Sequence, residues 1–384
     1  MRKPTRSLLA AFFLLAGCTS VSRLRRDLSS PEWQVRCAAA GRLQNVSVDQ
    51  DTTPLLFMAM SDPSPRVRSR AGRALAAFLD GPTAAAVCDR ARRAPDAVKL
   101  EVIQALAEPK TPDAATPFLS EMLADPSPDI RLAAARAFRG SHDAKKLAPL
   151  LGAWKREPQE KIRVAALVAA CCPADSARKN TELIRCYTEM IEHGSTMLRN
   201  PGILRAAGDL RIRAAEPHLL AVISDPELRY VAIESLGEVR SQKAVPALLE
   251  LLERNDSWVM NRQVCAALGR IRSHEAARRL AGYFVGSKPE RDRDSWDRTL
   301  FITVAMSKIG GDEVFEAFAS QITEKAKRDF ALYGLRTMTG TRVVRRRNYW
   351  MYTWKGIQIL WRKWWKEHKG EVAEKLDKEA EQES

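Results

Sequence analysis

Apolar and polar positions along this chain follow a helical period. Val67, Ala71, Ala74, Leu75 and Phe78 are separated by steps of one, three and four, which lays one apolar stripe along one side of an α-helix. After a short turn, often with glycine or proline, comes a second apolar helix such as Ala244-Val-Pro-Ala-Leu-Leu-Glu-Leu-Leu252. The two together read as a helical hairpin. Alanines at the crossing positions let the paired helices approach closely, and leucines and valines fill the space against the next hairpin.

The hairpin recurs. Ser61-Asp-Pro-Ser-Pro-Arg-Val-Arg68, Ala124-Asp-Pro-Ser-Pro-Asp-Ile-Arg131 and Ser224-Asp-Pro-Glu-Leu-Arg229 are copies of one turn, in which aspartate and proline break one helix and cap the next. The basic residue that closes this turn falls at Arg36, Arg68, Lys99, Arg131, Arg163, Arg199, Arg229, Arg262 and Arg298, with gaps of 32, 31, 32, 32, 36, 30, 33 and 36. Nine units near 32 residues predict an array in which each hairpin buries its apolar face against its neighbours.

These segments resemble the HEAT family, specifically the short bacterial HEAT-like repeats; "DPSPRVRSRAGRALA", "DPSPDIRLAAARAF" and "DPELRYVAIESLGEV" carry the likeness across Ser29 to Ile322. The resemblance implies an all-α fold, a right-handed α-solenoid of about nine hairpins with a helical C-terminal cap. It also implies a ladder in which Asp62, Asp125 and Asp225 accept and Arg68, Arg131 and Arg229 donate. No Asp-Pro precedes Lys99 in that register, so the pattern is expected to fail there, and the units near Arg199 and Arg298 carry insertions. The other reading of these arginines is a basic groove for an acidic partner; recurrence at one repeat position favours the ladder.

Composition changes after the repeats. From Glu324 to Lys369 there are thirteen basic and three acidic residues, and five of the nine tryptophans lie between Trp350 and Trp365. Leu335-Arg-Thr-Met-Thr-Gly340 and Trp361-Arg-Lys-Trp-Trp365 resemble a closing segment of some bacterial HEAT-repeat proteins, with Met338 for leucine and a longer spacer. Trp354, Ile357, Trp361, Trp364 and Trp365 fall on one side of a helix. That face either caps the last hairpin, as terminal repeats require, or joins Arg345, Arg346, Arg347 and Lys363 in holding anionic lipid. The last fifteen residues, with six acids and two bases, read as a flexible tail.

The amino terminus adds a location. Arg2, Lys3 and Arg6 precede the apolar run Leu8 to Ala16 and the tetrapeptide Leu15-Ala-Gly-Cys18. The run is too short to span a bilayer and reads as a removable signal. The tetrapeptide resembles the lipobox of bacterial lipoproteins, implying cleavage before Cys18 and acylation of that cysteine. By resemblance to sorted lipoproteins, Thr19 after the cysteine favours the outer membrane, facing the periplasm. The expected organisation is therefore a signal peptide (1–17), an anchor linker (18–28), the solenoid (29–322), a basic tryptophan-rich cap (323–369) and an acidic flexible tail (370–384).

Removing three basic residues with the signal leaves 59 basic against 47 acidic groups, a net charge of +12. The surplus suits an anionic partner, but export sits poorly with nucleic acid, and none is expected. Cys37, Cys88, Cys171, Cys172, Cys186 and Cys265 are too sparse for a disulfide scaffold; they read as small core residues, with Cys172–Cys186 the pair to test first for a bridge. Two HEAT-like families are enzymes, bilin lyases and a di-iron hydroxylase that holds iron with repeated His-Glu pairs. Here only His274-Glu275 occurs, among five scattered histidines, so no metal or other cofactor is expected. The pattern points to a scaffold, tethered by lipid, that binds an unidentified envelope protein along its concave face; the alternative is lipid or glycan binding through the basic aromatic tail.

Overall fold

Three of the hairpins begin where proline meets a small polar residue. Ser64-Pro65, Ser127-Pro128 and Asn200-Pro201 stand at the starts of helices, with proline in the first turn. Proline loses nothing there, since the first amides of a helix have no intrahelical acceptor. The computed structural model describes residues 21–46, 52–77, 81–107, 113–172, 180–192, 196–254, 257–287, 293–343 and 352–382. Among the described residues the regular elements are 21 α-helices and short 3-10 turns, with no strand.

The chain forms two compact units, Met1–Leu183 and Ile184–Ser384. The first holds α1 (Val21–Leu28), α2 (Trp33–Arg42), α3 (Thr53–Met60), α4 (Pro65–Ala76), α5 (Gly81–Ala91), α6 (Asp96–Leu106), α7 (Thr116–Met122), α8 (Pro128–Ala137), α9 (Leu147–Arg156) and α10 (Glu160–Ala170). Its hairpin-opening helices α2, α4, α6, α8 and α10 stack in a row, and α3, α5, α7 and α9 each pack on the opening helix that follows. The division between units falls within α11 (Thr181–Glu192).

The second unit repeats the plan with α12 (Pro201–Asp209), α13 (Glu216–Ala221), α14 (Arg229–Val239), α15 (Val245–Arg254), α16 (Trp258–Ile271), α17 (His274–Gly286), α18 (Arg293–Ile309), α19 (Asp312–Ser320), α20 (Arg328–Thr339) and α21 (Trp354–Gln382). Here α12, α14, α16, α18 and α20 form the row of opening helices. The architecture in each unit is the α-solenoid that the repeat predicts.

Three segments differ from the sequence-based organisation. Residues 18–28 were expected as a linker, yet from Val21 they form α1, whose Leu24 and Leu28 are buried against the first hairpin. Residues 323–369 were set apart by composition, yet α20 continues the row of opening helices as the start of a tenth hairpin. The acidic stretch 370–384 was expected as a flexible tail, yet through Gln382 it is helical, with Val372 and Leu376 buried. In each case a few apolar residues at helical spacing outweigh the composition around them, because covering an open end of the stack buries each for roughly 1.5–3 kcal/mol.

The rows are close-packed through small residues. A Cβ at Gly208 would stand 2.7 Å from the Cα of Ser235, and one at Gly237 would stand 2.9 Å from the Cα of Ala267. Ser235 Oγ donates to the Leu204 carbonyl across the α12–α14 contact at 2.9 Å, and Ser307 Oγ to the Gly334 carbonyl across α18–α20 at 3.2 Å. Gly282, in α17, has nothing within 4 Å of an added Cβ. Gly208→Ala is accordingly expected to lower stability by about 1–3 kcal/mol through overpacking, whereas Gly282→Ala is expected to raise it by about 0.5–1 kcal/mol. Urea unfolding of both variants beside the parent checks the two opposite signs.

Candidate functional site

The turn residues assemble a ladder, though its donors differ in part from those implied by resemblance. Arg36 Nε and Nη2 donate to Asp62 at 2.6 and 3.1 Å; Lys99 Nζ to Asp125 at 2.9 Å; Arg131 Nε and Nη2 to Glu157 at 2.7 and 3.2 Å; and Arg199 Nη2 to Asp225 at 2.9 Å. Every partner lies 26 residues on, in the turn that opens the next hairpin. Each carboxylate also accepts the amide two residues ahead of it, from Ser64, Ser127, Gln159 and Glu227, at 2.8 to 3.1 Å.

The same arginines grip their own turns. Arg36 donates to the carbonyls of Ser30 and Pro31, Arg68 to those of Asp62 and Pro63, and Arg131 to those of Asp125 and Pro126, at 2.8 to 3.0 Å. Arg328 repeats this with Ile322 and Thr323, which marks it as the tenth anchor, thirty residues after Arg298. Arg68 therefore binds the backbone of Asp62 and not its carboxylate. Its step of 26 falls on Ala94, and the nearest acid, Glu101 on α6, lies 4.0 Å away. Arg229 Nε is buried without a hydrogen-bond partner, and its guanidinium lies over the Tyr230 ring.

Electrostatics follow the contacts. Burial would raise the Asp62 pKa, but the Arg36 hydrogen bonds and the Ser64 amide hold it below the ordinary carboxylate value. Arg131 lowers Glu157 against a smaller opposing effect of burial. Glu101, half buried and with Arg68 only at a distance, is pushed up by desolvation.

A second surface lies on the opening helices of unit 1. Arg70 and Arg73 on α4, Arg136 at the end of α8 and Arg139 in the 3-10 turn that follows it are exposed, and among the described residues none of the four is in an ion pair. Arg73 and Arg136 each stand five residues after their anchors, Arg68 and Arg131, so they occupy one repeat position. Arg73 borders a cleft of about 180 Å³ between α4 and α6, with Ser69, Gly72, Glu101 and Gln104. In unit 2 the arginines of the opening helices are mixed: Arg205 pairs with Glu234 at 3.6 Å and the partly exposed Arg270 with Glu238 at 3.1 Å, while Arg262 on α16 is exposed and in no ion pair among the described residues.

The tryptophans of α21 divide by burial. Trp365 stacks on Phe315 at 4.5 Å and donates to Asp312 at 2.7 Å, and Trp361 is 1% exposed. Arg362 pairs with Glu316, and Gln358 donates to the Ala319 carbonyl, both at 2.8 Å. These contacts close the last hairpin. Trp354 lies under the Arg328 guanidinium at 4.0 Å, and Trp364 stacks on His368 at 4.5 Å. Cys18, Arg345, Arg346 and Arg347 lie outside the described residues.

A model of HEAT repeats matches residues 21–97, 84–171 and 216–296, more than half of the chain. The chain belongs to the HEAT-repeat family. No curated protein matches it. Among solved structures, a chain of the complex of Kap95p with RanGDP is similar at 14% identity and TM-score 0.51, over 90% of this chain and 51% of that one. The Escherichia coli protein YibA is similar at 17% identity and TM-score 0.49, over 71% of this chain and 98% of that one. Human deoxyhypusine hydroxylase is similar at 17% identity over 85% and 98%, with a TM-score of 0.26.

Within this HEAT array, no group of three or more His, Cys, Asp or Glu side chains is placed to hold a metal among the described residues. Cys88, Cys171, Cys186 and Cys265 are buried, Cys37 and Cys172 are partly so, and all six carry free thiols. Burial pushes Cys88 and Cys265 up to about 12. Lys146 is buried and donates to the carbonyls of Phe138 and Ser141, which closes the end of the preceding helix.

Sequence reasoning missed Glu157 because the motif was sought as Asp-Pro. Glu157-Pro158 stands six residues before Arg163, as Asp62 stands before Arg68. The depressed Glu157 pKa means its ion pair contributes stability fully above the ordinary glutamate value near 4.3 and loses it as pH falls through the lower folded value. Glu157→Gln is expected to cost about 1–3 kcal/mol at pH 7, with the difference from the parent shrinking below about pH 4. Urea unfolding at a series of pH values reads both; a difference unchanged at low pH would exclude the ion pair as its source.

Proposed function

We propose that this protein is a lipid-tethered HEAT-repeat scaffold that holds an acidic protein partner of the cell envelope against the opening helices of its first unit. The carrying observation is the exposed, uncompensated set Arg70, Arg73, Arg136 and Arg139, of which Arg73 and Arg136 occupy one repeat position. Such a surface favours an acidic partner through long-range steering and complementary contacts. HEAT-repeat arrays offer extended surfaces of this kind to proteins, and the solved complex of a similar chain is of Kap95p with RanGDP.

The tether and location rest on the sequence: cleavage before Cys18, acylation there, and retention at the outer membrane facing the periplasm. A lipid- or glycan-binding role for the tail draws less support, since Trp361 and Trp365 are committed to the core of the last hairpin. Cys18→Ser is expected to abolish incorporation of an alkyne-labelled fatty acid and move the protein out of the membrane fraction. With Cys18 intact, affinity capture after crosslinking is expected to recover an acidic envelope protein. The quadruple reversal R70E/R73E/R136E/R139E should lower that yield at least tenfold. An undiminished yield from the reversed chain would overturn the arginine surface, and continued acylation of the Cys18→Ser chain would overturn the anchor.

A further inference from the structure

The second half of α21 makes contacts that closing the last hairpin does not require. Up to Lys369 the helix is seated on the last hairpin by Ile357, Trp361 and Trp365. Beyond Gly370 it continues over the turns that end the opening helices of unit 2. Leu376 fills the space beside Gly310, where an added Cβ would collide with its Cδ1. Arg272 donates to the Leu376 carbonyl, and Arg240 Nη2 to the Ala380 carbonyl at 2.7 Å.

The residues that receive it are unusual. The turns after α18 and α20 use glycine in the left-handed region, Gly310 and Gly340, both at φ 74°. The turns after α12, α14 and α16 use Arg211, Arg240 and Arg272 there, at φ 56°, 58° and 54°. An L side chain is strained in that region where glycine is not, so three successive arginines are an outlier that calls for a reason. For two of them a contact is visible: the Arg240 guanidinium meets the Ala380 carbonyl, among the last four of α21, which lack an acceptor role within the helix, and Arg272 meets the Leu376 carbonyl one turn earlier, both toward the negative end of the helix dipole. Arg211 is one hairpin further along the row, 3.9 Å from Glu238.

The helix is built in two parts. Gly370 lies mid-helix with nothing within 4 Å of an added Cβ, so packing gives no reason for glycine, and glycine loosens a helix where it stands. Residues 371–382 hold five acids and two lysines, and only Val372 and Leu376 are buried. That is an acidic amphipathic helix with a short apolar edge, laid against arginines.

We propose that Arg211, Arg240 and Arg272, with the Gly310 recess, form a binding strip for the carboxyl-terminal turns of an acidic amphipathic helix. Residues 371–382 are its resident; they swing off at Gly370 and give way to such a helix from a partner. The strip belongs to unit 2 and is independent of the arginine surface on unit 1.

The test uses the full chain and a fluorescein-labelled peptide with the sequence of residues 366–384. Leu376→Asp is expected to release the resident, so that the peptide binds this variant at least tenfold more tightly than the parent by fluorescence anisotropy. Adding R240A and R272A should remove that gain. Equal affinity for the parent and Leu376→Asp, or a gain that survives loss of both arginines, overturns the strip. Hydrogen exchange on the parent needs no destabilised variant: amides of 371–382 are expected to exchange at least tenfold faster than those of 357–369, and more slowly in Gly370→Ala. Equal protection of the two halves overturns the hinge.

Discussion

Two helices packed side by side leave an apolar face uncovered on either side of the pair, and every feature of this protein follows from how those faces are covered. Within a unit, each hairpin covers the next through alanine, glycine and serine where backbones approach, as at Gly208–Ser235, and through leucine and valine elsewhere. At the amino-terminal edge of the first hairpin of unit 1, α1 supplies Leu24 and Leu28 as cover. After α20 the same need is met by the tryptophans of α21. The aromatic cluster is therefore a structural answer to an open end, with Trp365 fixed both by stacking on Phe315 and by its bond to Asp312.

Hydrophobic contact is non-directional and does not by itself set how far one hairpin is displaced along the next. The polar ladder does. A repeat of 32 residues with its carboxylate six positions before the anchor places the acceptor 26 residues from the preceding anchor, as in three of the observed pairs; Arg199–Asp225 keeps the same step with a repeat of 30 and the carboxylate four positions before its anchor. Because each of those carboxylates also takes an amide from its own turn, one side chain fixes the turn and the neighbour together. Charged, partly buried pairs of this kind specify a geometry more than they add stability.

Much of this was legible in the chain. The 32-residue period, the turn formed by Asp-Pro and the helical stripes lead directly to stacked hairpins, because each is a local regularity repeated many times. The ladder was legible in its residue types but not in its pairing: Asp62 and Arg68 stand in one motif, while the bonded partner of Asp62 is Arg36, a hairpin earlier. Lys99, expected to fall out of register for want of its own aspartate, still reaches Asp125, since donor and acceptor roles belong to different turns. Composition misled at the ends, where the acids of 370–382 outnumber Val372 and Leu376 but do not outweigh them. The left-handed arginines carry no sequence signature at all, since glycine is the residue that usually announces that conformation.

Ala94 gives the ladder an uneven strength. Between α2 and α4, between α6 and α8, and between α8 and α10, a bonded ion pair crosses the contact, but between α4 and α6 the facing charges stand 4.0 Å apart beside a cleft. A tensile load along the first unit would be carried by four seams in series, one of them softer than the rest. That seam is where the array would part first when stretched, and where its pitch adjusts at least expense to a ligand of slightly different length.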